Sequence, residues 1–430
     1  MLDIKYIKEN ADIVKNACKV KGFECNVDRL IELETVVRNA NTKIQELQAA
    51  KNALSAQIKS ASNDERPAII ADSKKAGEEI KKLEEEFAPL KEEYTELLLS
   101  VPVVPSKDMP IGKGEEDNIV VRKEGTLPEF DFTPLSQIEL VEKNDWADFQ
   151  RVANVCGSRS ILCLKGRFAR LEFALYNYMQ DKMEEDGFTQ LNLPALIKPQ
   201  YIFDAGHFPG SDLSVMDQDV FYLKNDLGND NRALAGTSEI AINSMHAGEI
   251  LDGAKLPLLY TAYSTCFRRE AGSAGKDTSG FIRGNQFNKQ EMYIFCKNDP
   301  EESAKMFQKM LDLFEGLVTD MELPYQIIEI CTGDAGFNKV RQQDLEAWLP
   351  SQQRYVELGS CSSIHDFQTR RTKTRYRNED GEIEYCHTLN NTCLATPRFL
   401  AVFIENHQTA DGKVRLPEKL RPYMGGKEYL

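Results

Sequence analysis

Two runs of apolar residues, each stepping alternately by threes and fours, constrain this chain more than anything else in it. From Leu30 the first run passes through Leu33, Val37, Ala40, Ile44, Leu47, Leu54 and Ile58, with only Lys51 interrupting the seam. A polar turn at Ser62-Asn63-Asp64-Glu65-Arg66-Pro67 follows, and the alternation returns at Ile69, Ala76, Ile80, Leu83, Phe87, Leu90, Tyr94 and Leu97. Such spacing marks a seam between helices. Two heptad helices joined by one short turn must fold back on each other, so the pattern predicts an antiparallel coiled-coil hairpin, a rod of roughly 45 to 50 Å at about 1.5 Å per residue. Pro89 lies inside the second helix and is expected to bend or break it near the base of the rod. On heptads alone, a dimerisation or spacer coil is the simpler reading.

Shorter segments flank that rod. Ile4, Ile7, Ala11, Val14 and Ala17 give a short helical lead before it. After it, Ser100-Val101-Pro102-Val103-Val104-Pro105 closes the helix with prolines and opens an extended linker. A boundary there divides the 430 residues into an arm, 1–106, and a larger domain, 107–430, with bulk enough for a sizeable core. No run reaches the roughly 18 apolar residues of a membrane span, and Met1-Leu2-Asp3-Ile4-Lys5 lacks the pattern of a signal peptide. A cytoplasmic protein without a membrane partner is expected. Ten scattered cysteines with no C-x-x-C pair suggest neither a disulfide framework nor a zinc ribbon. A net charge of −15 argues against a protein that grips nucleic acid all over, and DNA is not expected as a partner. RNA binding would need local basic patches.

Within the larger domain, residues 110–149 read as polar and irregular. A strong helix pattern starts at Gly166 and passes through Asp186-Gly187 into a strand from Phe188 to Leu193. Leu234-Ala235-Gly236-Thr237-Ser238-Glu239 then enters a helix, and a hydroxyl pair followed by a carboxylate is a capping pattern. From Tyr263 to Phe295 two strands flank a long loop containing Gly272, Gly275 and Gly280; the first ends at Phe267-Arg268-Arg269-Glu270 and the second resumes at Ile282, Gly284, Gln286 and Phe287. Such a hairpin suits a triphosphate with its metal: Arg268 can fork onto a phosphoryl oxygen, and Phe287 can offer a flat face to a purine. The plainer alternative is an ordinary hairpin with an Arg269–Glu270 ion pair. Gly275-Lys276 is no phosphate-cradling P-loop, because position 270 is Glu and position 277 is Asp.

The whole stretch, F-R-x-E-A-G-S-A-G-K-D-T-x-G-x-I-R-x-x-Q-F-x-K-x-E, resembles motif 2 of the bacterial-type seryl-tRNA synthetases, which are class II aminoacyl-tRNA synthetases. Arg269 stands where many members have Ser, and Asn285 where many have His. The Gly166–Leu193 helix and strand resemble motif 1, the class II dimer element. Tyr355-Val356-Glu357-Leu358-Gly359-Ser360-Cys361-Ser362 resembles the family's E-x-x-S-C-S strand. His387 to Arg398 resembles motif 3, with Asn391-Thr392-Cys393 where many members have Gly-Ser-Gly, and the ending L-P-E-K-L-R-P-Y-M-G-G also matches.

The resemblance implies an α+β fold, an N-terminal antiparallel helical hairpin followed by a class II catalytic domain on an antiparallel β-sheet, assembled as a homodimer. It implies ATP and Mg²⁺, L-serine and tRNA(Ser), with tRNA(Sec) where present. Arg268, Glu270 and Arg398 would be catalytic. Thr237, Ser238 and Glu239, with Arg268, Glu291 and Thr392, would bind serine, Glu291 accepting its hydroxyl. Arg269, Gly284, Phe287, Leu358, Gly359 and Ser360 would complete the ATP site, Arg398 would stack adenine against Phe287, and Glu357 would hold Mg²⁺. Lys51, Lys59, Arg66, Lys74 and Lys75, near the hairpin tip, would contact tRNA phosphates. A related ligase charging another amino acid or a carrier protein would lack the arm or the Glu291–Thr392 pair. A catalytically silent coiled-coil adaptor would have lost Arg268, Glu270 or Arg398.

Overall fold

In the computed structural model, all residues are described except 60, 158–160, 162, 211–218, 224–231 and 271–280. Gly272, Gly275 and Gly280, with the loop that carries them, therefore lie outside the described residues. The chain divides into two compact units, one over Leu2–Pro102 and one over the chain from Val103 onward, apart from a short piece at Pro209 that goes with the first.

The first unit is helical. Two short helices, Ile4–Glu9 and Ala11–Val20, precede α1 (Val27–Gln57), whose Asn26 cap accepts from the Arg29 N–H at 3.0 Å. α1 packs along α2 (Arg66–Leu99) as an antiparallel pair. The seam is driest in the half of α1 nearest Val27, where Leu30, Leu33, Val37 and Ala40 are buried; towards the turn Leu47 and Leu54 are only half-covered, since two helices alone cannot enclose a side chain. Arg29 forks onto Glu93 across the pair, at 2.8 and 2.9 Å. Of the bend or break expected at Pro89, the break does not occur, since α2 runs through it. Pro89 sits on the exposed face, where the Glu85 carbonyl deprived of its helical partner can turn to water.

The second unit is built on an eight-stranded sheet, the largest among the described residues. Its strands are β1 (Ile119–Glu124), β2 (Thr189–Asn192), β3 (Leu258–Phe267), β4 (Gln286–Cys296), β5 (Tyr325–Glu329), β6 (Arg341–Leu349), β7 (Arg354–His365) and β8 (His387–Thr396). The spatial order is β1-β5-β6-β7-β8-β4-β3-β2, antiparallel throughout except for the parallel β2–β3 pair at one edge. One face carries the main core, covered by α3 (Gly166–Glu185), α5 (Pro300–Asp320) and α7 (Arg398–Asn406), with α6 (Phe367–Thr372) between the last two in sequence. Alternation along β4 divides its side chains: Met292, Ile294 and Cys296 enter that core, while Tyr293 and Phe295 pack beneath α4 (Ser238–Met245) on the other side.

Two sequence expectations are corrected here. Residues 110–149 are not irregular throughout, since they hold β1 and a helix at Gln137–Lys143 whose Ser136 and Glu139 form a capping box. β1 is an edge strand with both faces largely exposed and a register shift between Val120 and Arg122, so it shows no alternation to read. The second hairpin strand begins at Gln286 rather than at Ile282.

Candidate active site

The site forms where β3, β4, β7 and β8 end on the face away from the main core. β3 stops at Phe267, and the next three residues are pinned by their neighbours. The Asn285 amide donates to the carbonyls of Arg268 and Arg269, both at 3.0 Å, and Arg268 N–H donates back to the Asn285 carbonyl at 3.0 Å. Glu270 turns into the left-handed region (φ 53°) and pairs with Arg283 at 3.0 Å. Arg268 reaches from this corner over the Phe287 ring, 5.3 Å from its centroid, and its Nε donates to the Gly236 carbonyl at 3.3 Å. Arg398, at the start of α7, donates from Nη1 to the Glu357 carbonyl at 2.7 Å and to its carboxylate at 3.2 Å.

These groups line one cleft. Arg268, Glu270, Gly284 and Phe287 form one side, and Glu357, Leu358, Gly359, Thr392 and Arg398 the other. Gly359 is required by the approach of β8: a Cβ there would lie 2.2 Å from the Thr392 carbonyl oxygen. Ser360 lines an adjoining cavity with Glu357, and Thr237 another with Arg268. Arg269 lines neither cleft nor cavity; its N–H donates to the Asp219 carbonyl at 3.0 Å.

Beneath the cleft are two buried carboxylates. Glu291 accepts from Thr392 Oγ1 at 2.9 Å and lies 2.5 Å from Lys289 Nζ, which donates to Thr392 Oγ1 at 3.1 Å. Pattern reading missed Lys289, although its place two residues before Glu291 on one strand face was the available signal. Because Lys289 pairs with Glu291, an amino acid without a hydroxyl would not leave that carboxylate alone. Cys393, which stands where many members have Gly, packs in the core with its Sγ donating to the Gln290 carbonyl at 3.2 Å.

Glu239 is the second carboxylate. Thr237 caps α4, its hydroxyl accepting from the Glu239 N–H at 3.3 Å, so the capping reading holds for that side chain; the Ser238 hydroxyl is buried with no hydrogen-bond partner among the described residues. Glu239 Oε1 accepts from Gln368 at 2.8 Å and Asn390 at 2.7 Å. Burial pushes this carboxyl upward, but Lys339, His207, the Gln368 hydrogen bond and Lys289 together hold it below its ordinary range.

Residues 221–407 match the family model for the tRNA synthetase class II core domain (G, H, P, S and T), and residues 1–105 the one for the seryl-tRNA synthetase N-terminal domain. A serine--tRNA ligase of Deinococcus radiodurans is 45% identical over 430 residues, all of this chain and 99% of the relative. The chain belongs to the seryl-tRNA synthetase family. The crystal structure of seryl-tRNA synthetase from Pyrococcus horikoshii complexed with ATP aligns with a TM-score of 0.85 at 32% identity, covering 100% of this chain and 99% of that one. A cytoplasmic serine-tRNA ligase from Naegleria fowleri in complex with AMP aligns at 0.83 and 29%, covering 100% and 98%.

In this seryl-tRNA synthetase the acidic side of the cleft suits a hard divalent cation. Glu357 and Ser360 share a cavity with Asp344 and Glu346, and burial first, then Glu357, pushes the Asp344 carboxyl up to about 8. Oxygen donors and surplus negative charge fit Mg²⁺, which commonly takes one or two protein carboxylates and completes its shell with phosphates and water. On the arm of the synthetase, Lys59, Arg66, Lys74 and Lys75 are exposed and Lys51 half-buried, with Glu78 3.9 Å from Lys74.

Proposed function

We propose that this synthetase activates L-serine with ATP and transfers the seryl group to tRNA(Ser), and to tRNA(Sec) where that tRNA is present. The observation that carries the reading is the conjunction of two anion-binding arginines, Arg268 and Arg398, lining one cleft with a buried hydroxyl-reading cluster beneath it, Glu291–Lys289–Thr392. The serine carboxylate attacks the α-phosphorus in line and pyrophosphate leaves; charge building on the phosphoryl oxygens is met by Arg268, whose planar fork grips two oxygens at once. Arg398 and Phe287 hold the nucleotide, with Gly284, Leu358, Gly359 and Ser360 shaping its bed and Arg269 and Glu270 at its rim. Glu357 and Ser360 would hold Mg²⁺, which supplies charge neutralisation on the phosphates. Thr237, Ser238 and Glu239 receive the amino group, while Glu291 and Thr392 receive the hydroxyl. No enzyme nucleophile is required.

The division at residue 106 then separates two tasks, with the exposed lysines and Arg66 near the arm's tip meeting RNA phosphates and residues 107–430 performing the chemistry. A homodimer through the helix and strand at Gly166–Asn192, in the cytoplasm, completes the proposal. The deciding experiment is amino-acid-dependent ATP–pyrophosphate exchange with serine, threonine, alanine and cysteine. Serine should dominate. Exchange led by another amino acid, or none, would overturn the assignment.

A further inference from the structure

Beside Glu239 lies a histidine that none of these assignments uses. The backbone leading to it is held tightly. The Ala205 carbonyl accepts from Gln368 Nε2 at 2.8 Å and from Asn338 Nδ2 at 2.9 Å. Gly206 follows with φ +73°, and a Cβ there would lie 2.8 Å from the Phe367 ring. The same Gln368 amide donates to Glu239 Oε1, and its own oxygen accepts from Tyr293 at 2.7 Å and Thr388 at 3.0 Å. One side chain thus fixes both the chain before His207 and the carboxylate opposite it. With Oε1 anchored by two amides, Glu239 Oε2 faces His207 Nε2 across 3.6 Å. That nitrogen is buried and has no hydrogen-bond partner among the described residues. His207 and Thr237 line one cavity, which also reaches Arg268 and Glu270.

Leaving a buried ring nitrogen unpaired costs about 1 to 3 kcal/mol unless something completes it. Three observations point to what does: an anionic oxygen opposite, a cavity shared with Thr237, and Arg268 at the far side where a carboxylate would be drawn. A primary ammonium fits, since its three N–H groups need acceptors and it is attracted to Glu239. We propose that His207 Nε2 is an additional acceptor for the α-ammonium of the amino-acid substrate, acting beside Glu239 as a further substrate-binding residue. The inference rests on the proposed serine-activating role of this cleft. Accepting requires the unprotonated ring; burial favours it, Glu239 opposes, and Lys339, Arg268 and Lys289 favour it again. Once protonated, the imidazolium would pair with Glu239 and repel the substrate.

The test is pyrophosphate exchange by the full-length enzyme between pH 5.5 and 8.5, with KM for serine and for ATP read separately in wild type, His207→Ala and His207→Gln. Removing one acceptor from a charged donor should raise KM for serine at least about tenfold in His207→Ala, leaving KM for ATP nearly unchanged. The glutamine amide oxygen can accept without titrating, so His207→Gln should recover most of the serine affinity and lose the acid limb of kcat/KM for serine. Unchanged serine KM in His207→Ala would overturn the proposal. So would equal rises in both KM values, or an acid limb retained in His207→Gln. Absence of serine-dependent exchange in the wild type would instead refute the serine-activating role itself.

Discussion

Replacing Glu291 by Gln tests both the energetics and the chemistry of the site. The Lys289 and Glu291 side chains are 6% and 2% exposed and 2.5 Å apart, with Thr392 Oγ1 bridging them. Breaking a buried pair from one side costs about 3 to 5 kcal/mol, because the remaining charge stays in a poorly solvated place. Lys289 also lines the cleft and keeps the Thr392 hydroxyl, so the lower end, about 3 kcal/mol, is expected. Lys289→Met should cost a similar amount. The double variant removes both charges and should cost far less than the sum, with a coupling of about 2 kcal/mol or more. Urea denaturation of the four proteins measures this, and pyrophosphate exchange on the same samples reads the chemistry. Serine loses a charge-assisted hydrogen bond in Glu291→Gln, so its advantage over alanine should narrow by about 1.5 to 3 kcal/mol, roughly 10- to 150-fold. Additive denaturation costs, or an unchanged serine-to-alanine ratio, would refute this account of the cluster.

Arg268→Lys should cut serine-dependent exchange by about two orders of magnitude or more, since lysine cannot fork onto the phosphate; near-normal exchange would remove Arg268 from the mechanism. Deleting about Leu54 to Lys75 and closing the helices with a short turn should leave adenylate formation nearly unchanged and abolish efficient transfer to tRNA, and a loss of adenylation would refute the separation of tasks. Acid should destabilise the fold through its buried imidazoles: burial, then His365 and Arg370, lowers His387 to about 3, while burial lowers His407 to about 4 despite its bond to the Met321 carbonyl. Both folded values lie below an unfolded value of about 6.5, so the unfolded chain takes up protons first, and stability is lost as pH falls from about 6.5 toward each folded pKa, by about 2 kcal/mol per histidine at pH 5. His407→Gln should therefore lose less stability than wild type between pH 7 and pH 5, and parallel curves would contradict the linkage.

The arm and the hairpin of β3 and β4 were legible because each repeats a local rule over many residues: the heptad step from Leu30 to Leu97, and two-residue alternation either side of Arg268. Whether a proline breaks its helix depends on the face it occupies, and sequence spacing did not say that the face of Pro89 is exposed. β1 was missed for the opposite reason. An edge strand that buries neither face writes no pattern, and only its hydrogen bonds to β5 make it a strand. His207 gave no signal because its role depends on Gln368, 161 positions away in the chain, orienting both it and Glu239.

The cleft residues depend on a further device that alternation cannot show. β8 gains one residue against β4 at Cys393, where Gln290 pairs with Leu394 and Glu291 with Thr392; β7 gains one against β6 at Leu358, where Leu345 pairs with Gly359 and Glu346 with Glu357. Strict alternation would put Leu394 on the face of Thr392 and set Glu357 opposite Ser360. With the extra residues, Cys393 and Leu394 both enter the core while Thr392 keeps its place beside Glu291, and Glu357 lines the same cavity as Ser360. An insertion of one residue reverses every side chain beyond it, so the two bulges place the hydroxyl-reading group and the acidic group on the cleft side without disturbing the apolar face that holds the sheet to its helices. The motif letters are visible in sequence, but the faces to which they belong are decided by Leu358 and Cys393. That is why Cys393, at a place where many members have Gly, is the spacer that turns Thr392 toward Glu291.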